Sequence, residues 1–206
     1  MGTATKRFVG MAALVLAILA WGYGALAQGK PSPRELLEKL KSEKTADQAG
    51  EQLLQLAKSD PAARRYLAQH LPSMIEKDPK TNPPAWRNAV RLAGALRLVE
   101  AAPALAKWLG LIMGDVDFSL SSEERLEYNS PGQALVQIGD PAVPSVRLAL
   151  ASGNLRERER ATYVLLNIGS DGALAALREH LAEETDADLR ASIQMALRNR
   201  GRPANP

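Results

Sequence analysis

The chain has 206 residues, with 26 basic and 23 acidic side chains and no cysteine. The lack of cysteine excludes disulfide bonds, thiolate catalysis and thiolate metal sites. The nearly balanced charge argues against a nucleic-acid surface, for which a clustered basic excess is the expected footprint.

The first 27 residues are predicted to be a secretory signal peptide. A basic pair, Lys6-Arg7, precedes the apolar run 8–20, and Ala25-Leu26-Ala27 supplies the small residues of a cleavage site. The alternative is an uncleaved membrane anchor, because the uncharged span 8–27 has 20 residues, just enough to cross a bilayer. In either case residues 28–206 are expected to form one exported domain, in the periplasm or another extracytoplasmic space.

The rest of the chain is predicted to be helical throughout. Apolar residues recur at helical spacing and no run alternates at period two, so no strand is expected. Helices are predicted at 34–41, 46–58, 61–76, 84–98, 103–113, 131–138, 141–151, 155–167, 172–183 and 187–200. Pro72 is expected to kink its helix or to end it early.

A short phrase recurs in the second half of the chain. Residues 133–146 read QALVQIGDPAVPSV, and residues 164–177 read VLLNIGSDGALAAL. The glycine in each copy suits the left-handed residue that ends a helix, and Asp140 is expected to cap the helix that follows. Looser copies align near Val99 and at 52–62. Self-similarity at a period of a few tens of residues is typical of stacked repeats.

The spacing of the copies predicts where one repeat is longer. Taking Val99, Ile138 and Ile168 as the anchors of successive turns gives spacings of 39 and 30 residues (138−99 and 168−138). The extra nine residues (39−30) are assigned to the polar stretch 114–129, since repeat arrays tolerate insertions in a single loop.

The phrase resembles the HEAT-repeat family, and in particular the short HEAT-like repeats of phycobilin lyases. The similarity rests on the pattern A-L-x-x-I-G-D-P-x-x-P, best matched at 134–144, and extends loosely over 47–200. It implies an all-α fold, an α-solenoid of stacked HEAT-like helix pairs. It says little about function, because the family includes lyases, scaffolds, transport factors and DNA-repair proteins.

The resemblance also implies a binding face, since the second helix of each HEAT-like pair usually lines the concave surface. Alignment of these helices on Leu105, Val146 and Leu177 produces two columns: Ala106, Arg147 and Arg178, and Trp108, Ala149 and His180. Tryptophan and arginine are favoured at binding hot spots. The candidate partner-binding residues are therefore Trp108, Arg147, Arg178 and His180. The alternative is that Trp108 packs against a neighbouring repeat and that the arginines are solvated.

No residue is predicted to act in catalysis or to bind a cofactor or a metal. His70 and His180 belong to no H-E-x-x-H motif, and no G-x-S-x-G motif is present. Residues 114–121 resemble a calcium loop, but leucine stands at the two loop positions that require glycine and glutamate. The alternating charges of 156–160 are interpreted as a solvated first helical turn.

Three classes of function are compatible with these features. The favoured one is an exported, non-catalytic protein-binding or scaffold module that contacts the membrane, if at all, only through an uncleaved N-terminal segment. The second is a bilin lyase or isomerase, which the resemblance alone introduces and which export disfavours. The third is a HEAT-like nucleic-acid-binding protein, disfavoured by export and by the near-neutral charge of the mature domain. The expected partner is thus a protein and not a nucleic acid.

Overall fold

The structure, a computed structural model, describes residues 31–111 and 130–200, and this part of the chain is helical with no β-strand. The described α-helices, all within the compact unit Pro33–Pro206, are α1 (Pro33–Lys39), α2 (Ala46–Ser59), α3 (Pro61–Ile75), α4 (Pro83–Ala95), α5 (Ala102–Ala106), α6 (Ser130–Ile138), α7 (Val143–Leu150), α8 (Leu155–Ile168), α9 (Asp171–Leu181) and α10 (Ala187–Arg200). The predicted all-α class is confirmed for these residues.

Two of the predictions fall on parts of the chain that the structure does not describe. They are the N-terminal segment 1–27 and the stretch 114–129. Within the described ranges, no helix is both long enough and apolar enough to cross a membrane.

The helices pack in two rows. Helices α2, α4, α6, α8 and α10 each contact the next member of that row, and α3, α5, α7 and α9 do the same in the other row. Consecutive helices such as α2 and α3, α7 and α8, or α8 and α9 join the rows. The apolar core lies between them and is made mainly of leucine and alanine. Each described helix pair therefore covers the apolar face of its neighbour.

The interior positions of the second row match the sequence alignment. Leu105 on α5, Val146 on α7 and Leu177 on α9 are each 0% exposed. We call residues at the same offset from these three buried residues equivalent positions. The offsets between the three are 41 and 31 residues (146−105 and 177−146).

Residues with positive φ follow the ends of the first-row helices α4, α6 and α8. Gly139 (φ 82°) and Gly169 (φ 65°) were predicted, and Arg97 (φ 50°) takes the same role after α4. The prediction that Val99 anchors this turn is therefore wrong, because Leu96 is the residue that precedes the positive-φ position. The spacings between the three positive-φ residues are 42 and 30 residues (139−97 and 169−139). An arginine in this region carries a strain of about 1 kcal/mol that glycine avoids.

Side-chain caps start several helices, although not the one expected after Gly139. Asp60 accepts a hydrogen bond from the Ala62 amide at 2.8 Å, and Ser170 accepts one from the Ala173 amide at 3.1 Å. Asp140 makes no cap. It opens a 3₁₀ turn instead, and its carboxylate accepts a hydrogen bond from the Ser170 hydroxyl of the following turn. The predicted cap at Asp140 is therefore wrong, because the side chain links two turns.

Pro72 lies within α3, and Gly94 of α4 lies where this helix packs against α6. Helix α3 continues past Pro72 to Ile75, so the predicted early end of this helix is wrong. A Cβ on Gly94 of α4 would stand 2.8 Å from the Ala134 Cα of α6. Only glycine permits this approach of the two backbones.

A substitution at Leu165 tests which face of α8 is buried. Its side chain is 0% exposed, so Leu165→Asp places an unpaired charge in the core. We expect it to lower the free energy of unfolding by roughly 3 kcal/mol or more, measured by urea denaturation. The matched control is Leu155→Asp in the first turn of the same helix, where the side chain is 38% exposed and an acidic residue suits the helix dipole. Equal effects of the two changes would contradict the buried face.

Candidate functional site

The second row presents an outer ridge formed by α7, α9 and the residue that follows α5. Two positions after the buried residues Leu105, Val146 and Leu177 stand Lys107, Leu148 and Glu179, all exposed. Leu148 is 77% exposed, more than any other large hydrophobic side chain in the described residues. A basic, an apolar and an acidic residue thus follow one another at equivalent positions, and we call them the outer ridge.

Two surface grooves flank Leu148. One, of about 370 Å³, lies between α5 and α7, and the other, of about 260 Å³, lies between α7 and α9. Both are built from equivalent positions: Ala106, Lys107, Ser145 and Ala149 line the first, and Arg147, Leu148, Ala176 and His180 line the second. Leu148 contributes to both. The two grooves are therefore lined by residues at the same offsets along the chain.

Trp108 is placed in the packing between helices and lines neither groove. Its indole N–H donates to the Ile75 carbonyl at 2.7 Å, and the Trp86 indole donates to the same oxygen at 3.0 Å. The two rings meet edge to face at 6.4 Å. Ile75 ends α3, where a carbonyl has no partner within the helix. The geometry supports the alternative that Trp108 packs against its neighbours. Its indole N–H provides a hydrogen bond for the carbonyl at the end of α3.

Arg147 and Arg178 occupy equivalent positions but have different surroundings. Arg147 lines the α7–α9 groove and forms an ion pair with Glu179, with both side chains more than half exposed. Such a pair adds little stability, about 0–1 kcal/mol, but it neutralises the arginine. Arg178 is exposed and lies outside the groove lining. Arg147 and Arg178 therefore do not form a row of unpaired positive charges on this face.

His180 lines the same groove from its floor and is 9% exposed. Its Nε2 lies 2.8 Å from Oε2 of Glu184, whose side chain is 0% exposed. Arg158 donates to both oxygens of that carboxylate, Nε to Oε2 at 2.9 Å and Nη2 to Oε1 at 3.0 Å. A buried network of three side chains thus lies behind the α7–α9 groove.

These hydrogen-bond donors stabilise the ionised form of Glu184. Burial acts to raise the pKa of its carboxyl, but hydrogen bonds from Arg158, from the Asp186 amide and from His180 outweigh it and lower the pKa to about 2. The same hydrogen bond raises the pKa of Arg158. The pair is therefore ionised throughout the physiological range.

This network corrects the interpretation of 156–160 as a solvated turn. The Arg158 side chain is 13% exposed and is bound to Glu184, and Arg160 is 5% exposed. Glu184, which sequence analysis missed, stands four residues after His180, and that spacing on a helical segment was the available signal. The pairing with Arg158 spans 26 residues and has no local signature.

The arrangement combines exposed charged and apolar groups with one buried carboxylate. Its outward groups are a lysine, a leucine and a neutralised arginine–glutamate pair, and the buried carboxylate is saturated with donors. Among the described residues, no group of three histidine or acidic side chains is placed to hold a metal ion. Comparisons with models of known families, with curated proteins and with solved structures found no match.

Glu184→Gln tests the buried network through its pH dependence. Since the pKa of Glu184 lies below the ordinary 4.5, the charged form stabilises the fold above pH 4.5, and this contribution is lost as pH falls towards 2. We expect the variant to be less stable by about 3 kcal/mol near neutral pH, because Arg158 loses its partner. The difference from the unmodified chain should shrink below pH 4.5, as measured by urea denaturation at a series of pH values.

The control for that measurement is Glu183→Gln, one residue earlier and exposed. Its effect on stability is expected to stay within about 0.5 kcal/mol at every pH. A pH-independent difference for Glu184→Gln would contradict the low pKa of Glu184, and equal effects at the two positions would contradict its burial.

Proposed function

We propose that this protein is an exported, non-catalytic protein-binding or scaffold module, built as an α-solenoid of HEAT-like helix pairs. The observation that carries the proposal is the pair of equivalent grooves on either side of the exposed Leu148. A surface that repeats with the helix pairs fits a partner that makes similar contacts with successive repeats.

The packing of the helices supports the solenoid part of the proposal. First-row and second-row helices each contact the next member of their own row, and equivalent residues are buried in each repeat. In a solenoid each unit touches only its neighbours, so the elements of one row follow each other in chain order. The described helices have this order from α2 to α10.

The character of the surface favours a protein partner. A large apolar side chain at 77% exposure, with charged residues around it, has the composition of an interface centre and its polar rim. A nucleic-acid partner is disfavoured, because the outer ridge carries one basic and one acidic residue instead of a basic row. The non-catalytic role rests on the lack of a catalytic motif in the sequence.

The proposed export predicts where the mature protein begins. If 1–27 is a cleaved signal peptide, the protein recovered from the expressing cell begins at Gln28. N-terminal sequencing of the secreted or periplasmic fraction checks this. Recovery of the intact N-terminus in the membrane fraction would establish the anchor, and recovery in the cytoplasm would contradict export.

A photo-crosslinking amino acid at position 148 tests protein binding. We expect it to form adducts with protein in the expressing cell, because Leu148 lies on the rim of both grooves. Arg147→Ala combined with Arg178→Ala should leave the adduct yield nearly unchanged, because Arg147 is already paired with Glu179 and Arg178 lies outside the groove lining. The melting temperature should change little, because both arginines are exposed.

The control is the same crosslinker at Met195 on α10, which is 60% exposed. Equal or absent adducts at the two positions would contradict a binding site on the second row. An unchanged yield from the double arginine variant, with adducts at position 148 intact, would place the contact on Leu148 and not on the arginines.

A further inference from the structure

The imidazole ring of His180 has a fixed hydrogen-bond polarity. Its Nε2 lies 2.8 Å from Oε2 of Glu184, a carboxyl whose pKa is lowered to about 2 and which is therefore ionised. A carboxylate can only accept hydrogen bonds, so Nε2 carries the ring proton and donates it to Glu184. In the uncharged ring Nδ1 then keeps its lone pair, and it can only accept a hydrogen bond.

This acceptor opens onto the α7–α9 groove. Nδ1 of His180 has no hydrogen-bond partner among the described residues. In the same part of the chain, the only fully enclosed polar side-chain atom without a partner is the Thr162 hydroxyl oxygen. Nδ1 is therefore accessible from outside, and the surface that His180 lines is this groove. The groove floor thus presents one oriented acceptor.

The charged side chains of the groove add a second acceptor and no free donor. Arg147 and Glu179 form an ion pair with each other. Glu183 also lines the groove, is exposed, and has no ion pair among the described residues. One basic and two acidic side chains give the lining a net charge of −1 (1−2) when His180 is uncharged. A ligand that satisfies this groove must supply N–H donors and positive charge.

The remaining lining of the groove is apolar and suits an aliphatic stem. It consists of two leucines and two alanines, Leu148, Leu150, Ala151 and Ala176. A lysine side chain combines both requirements, because its methylene stem packs along apolar surface and its ammonium group has three donors and no acceptor. An acidic side chain would leave both acceptors of the groove without a donor.

We propose that the α7–α9 groove binds a lysine side chain of a protein partner, whose ammonium group donates to Nδ1 of His180 and to the carboxylate of Glu183. Glu184 acts as a positioning residue, since it holds the His180 ring with Nδ1 towards the groove and is itself held by Arg158. The inference rests on the proposed protein-binding function of this face, and it assigns to one groove the class of residue that it recognises.

Nitrogen-15 NMR of the histidine rings tests the acceptor, using the protein as recovered from the expressing cell. The chain has two histidines, and they are expected in opposite tautomers. Nδ1 of His70 lies 2.7 Å from the Tyr66 carbonyl oxygen, so His70 is protonated on Nδ1, whereas His180 is protonated on Nε2. Two-bond proton–nitrogen correlations recorded at pH 8 distinguish these forms. Protonation of His180 on Nδ1 would overturn the proposal.

The probe for binding is N-acetyl-lysine N-methylamide, titrated into the same sample at constant ionic strength. It should move the Nδ1 resonance of His180 and leave His70 unchanged. The control is N-acetyl-norleucine N-methylamide, which has the apolar stem without the ammonium group and should not move it. An unmoved His180 resonance, or equal effects of the two probes, would overturn the proposal.

Substitution of Glu183 tests the second acceptor without disturbing the core. At a fixed, subsaturating probe concentration, Glu183→Gln should lower the His180 shift by roughly two- to fivefold, the range for the loss of an exposed ion pair. The matched control is Glu76→Gln, which removes the same charge from an exposed position outside the groove and should leave the shift unchanged. Equal effects of the two variants would show that the probe responds to net charge alone and would exclude the site.

Charge reversal connects the groove to the partner in the cell. With the photo-crosslinker at position 148, Glu183→Lys should lower the adduct yield by roughly tenfold, because it puts an ammonium group where the partner's lysine binds, and Glu76→Lys should not. If position 148 captures protein and Glu183→Lys leaves the yield unchanged, lysine recognition is excluded and the binding function stands. If position 148 captures nothing, both proposals fail.

Discussion

The structure depends on the burial of one apolar stripe per helix against the next helix pair. Leu105, Val146 and Leu177 hold equivalent places in this packing, and each is completely buried. The chain has no cysteine, so packing and polar contacts must provide the stability that disulfides supply in many exported proteins. Burial at these positions fixes the rotation of α5, α7 and α9, and therefore which residues point outward. The outer ridge and both grooves are consequences of that constraint.

The buried Arg158–Glu184–His180 network adds a second constraint at the C-terminal end of the second row. Glu184 follows α9, and its carboxylate receives Arg158 from α8, so the segment after α9 is held against the preceding helix. His180 joins this network with one ring nitrogen while lining the α7–α9 groove. The floor of that groove is thus held by buried polar contacts, and its outer edge carries only the exposed Arg147–Glu179 pair.

The sequence predicts those parts of the fold that have a local cause. Helix spacing and the glycines at 139 and 169 are properties of a few neighbouring residues, and the structure has them. The anchor near Val99 failed because Arg97 takes a positive φ without being glycine, so the expected marker is missing from that turn. Asp140 looks like a cap locally, but its hydrogen-bond partner is Ser170, 30 residues away. Long-range partners of this kind leave no trace in a local pattern.

The candidate site shows the same limit. The alignment paired Leu105, Val146 and Leu177, which the structure buries, yet it singled out Trp108 and passed over Leu148. The Trp108 indole donates to the carbonyl at the end of α3. In the sequence, Leu148 is one more leucine of an apolar helix. Only the packing of its neighbours Val146 and Leu150 into the core shows that it points outward. An exposed leucine at an outward repeat position, between a lysine and a glutamate at equivalent positions, is unexplained by the stability of the single chain. Its exposure supports the proposal that this face binds a protein partner.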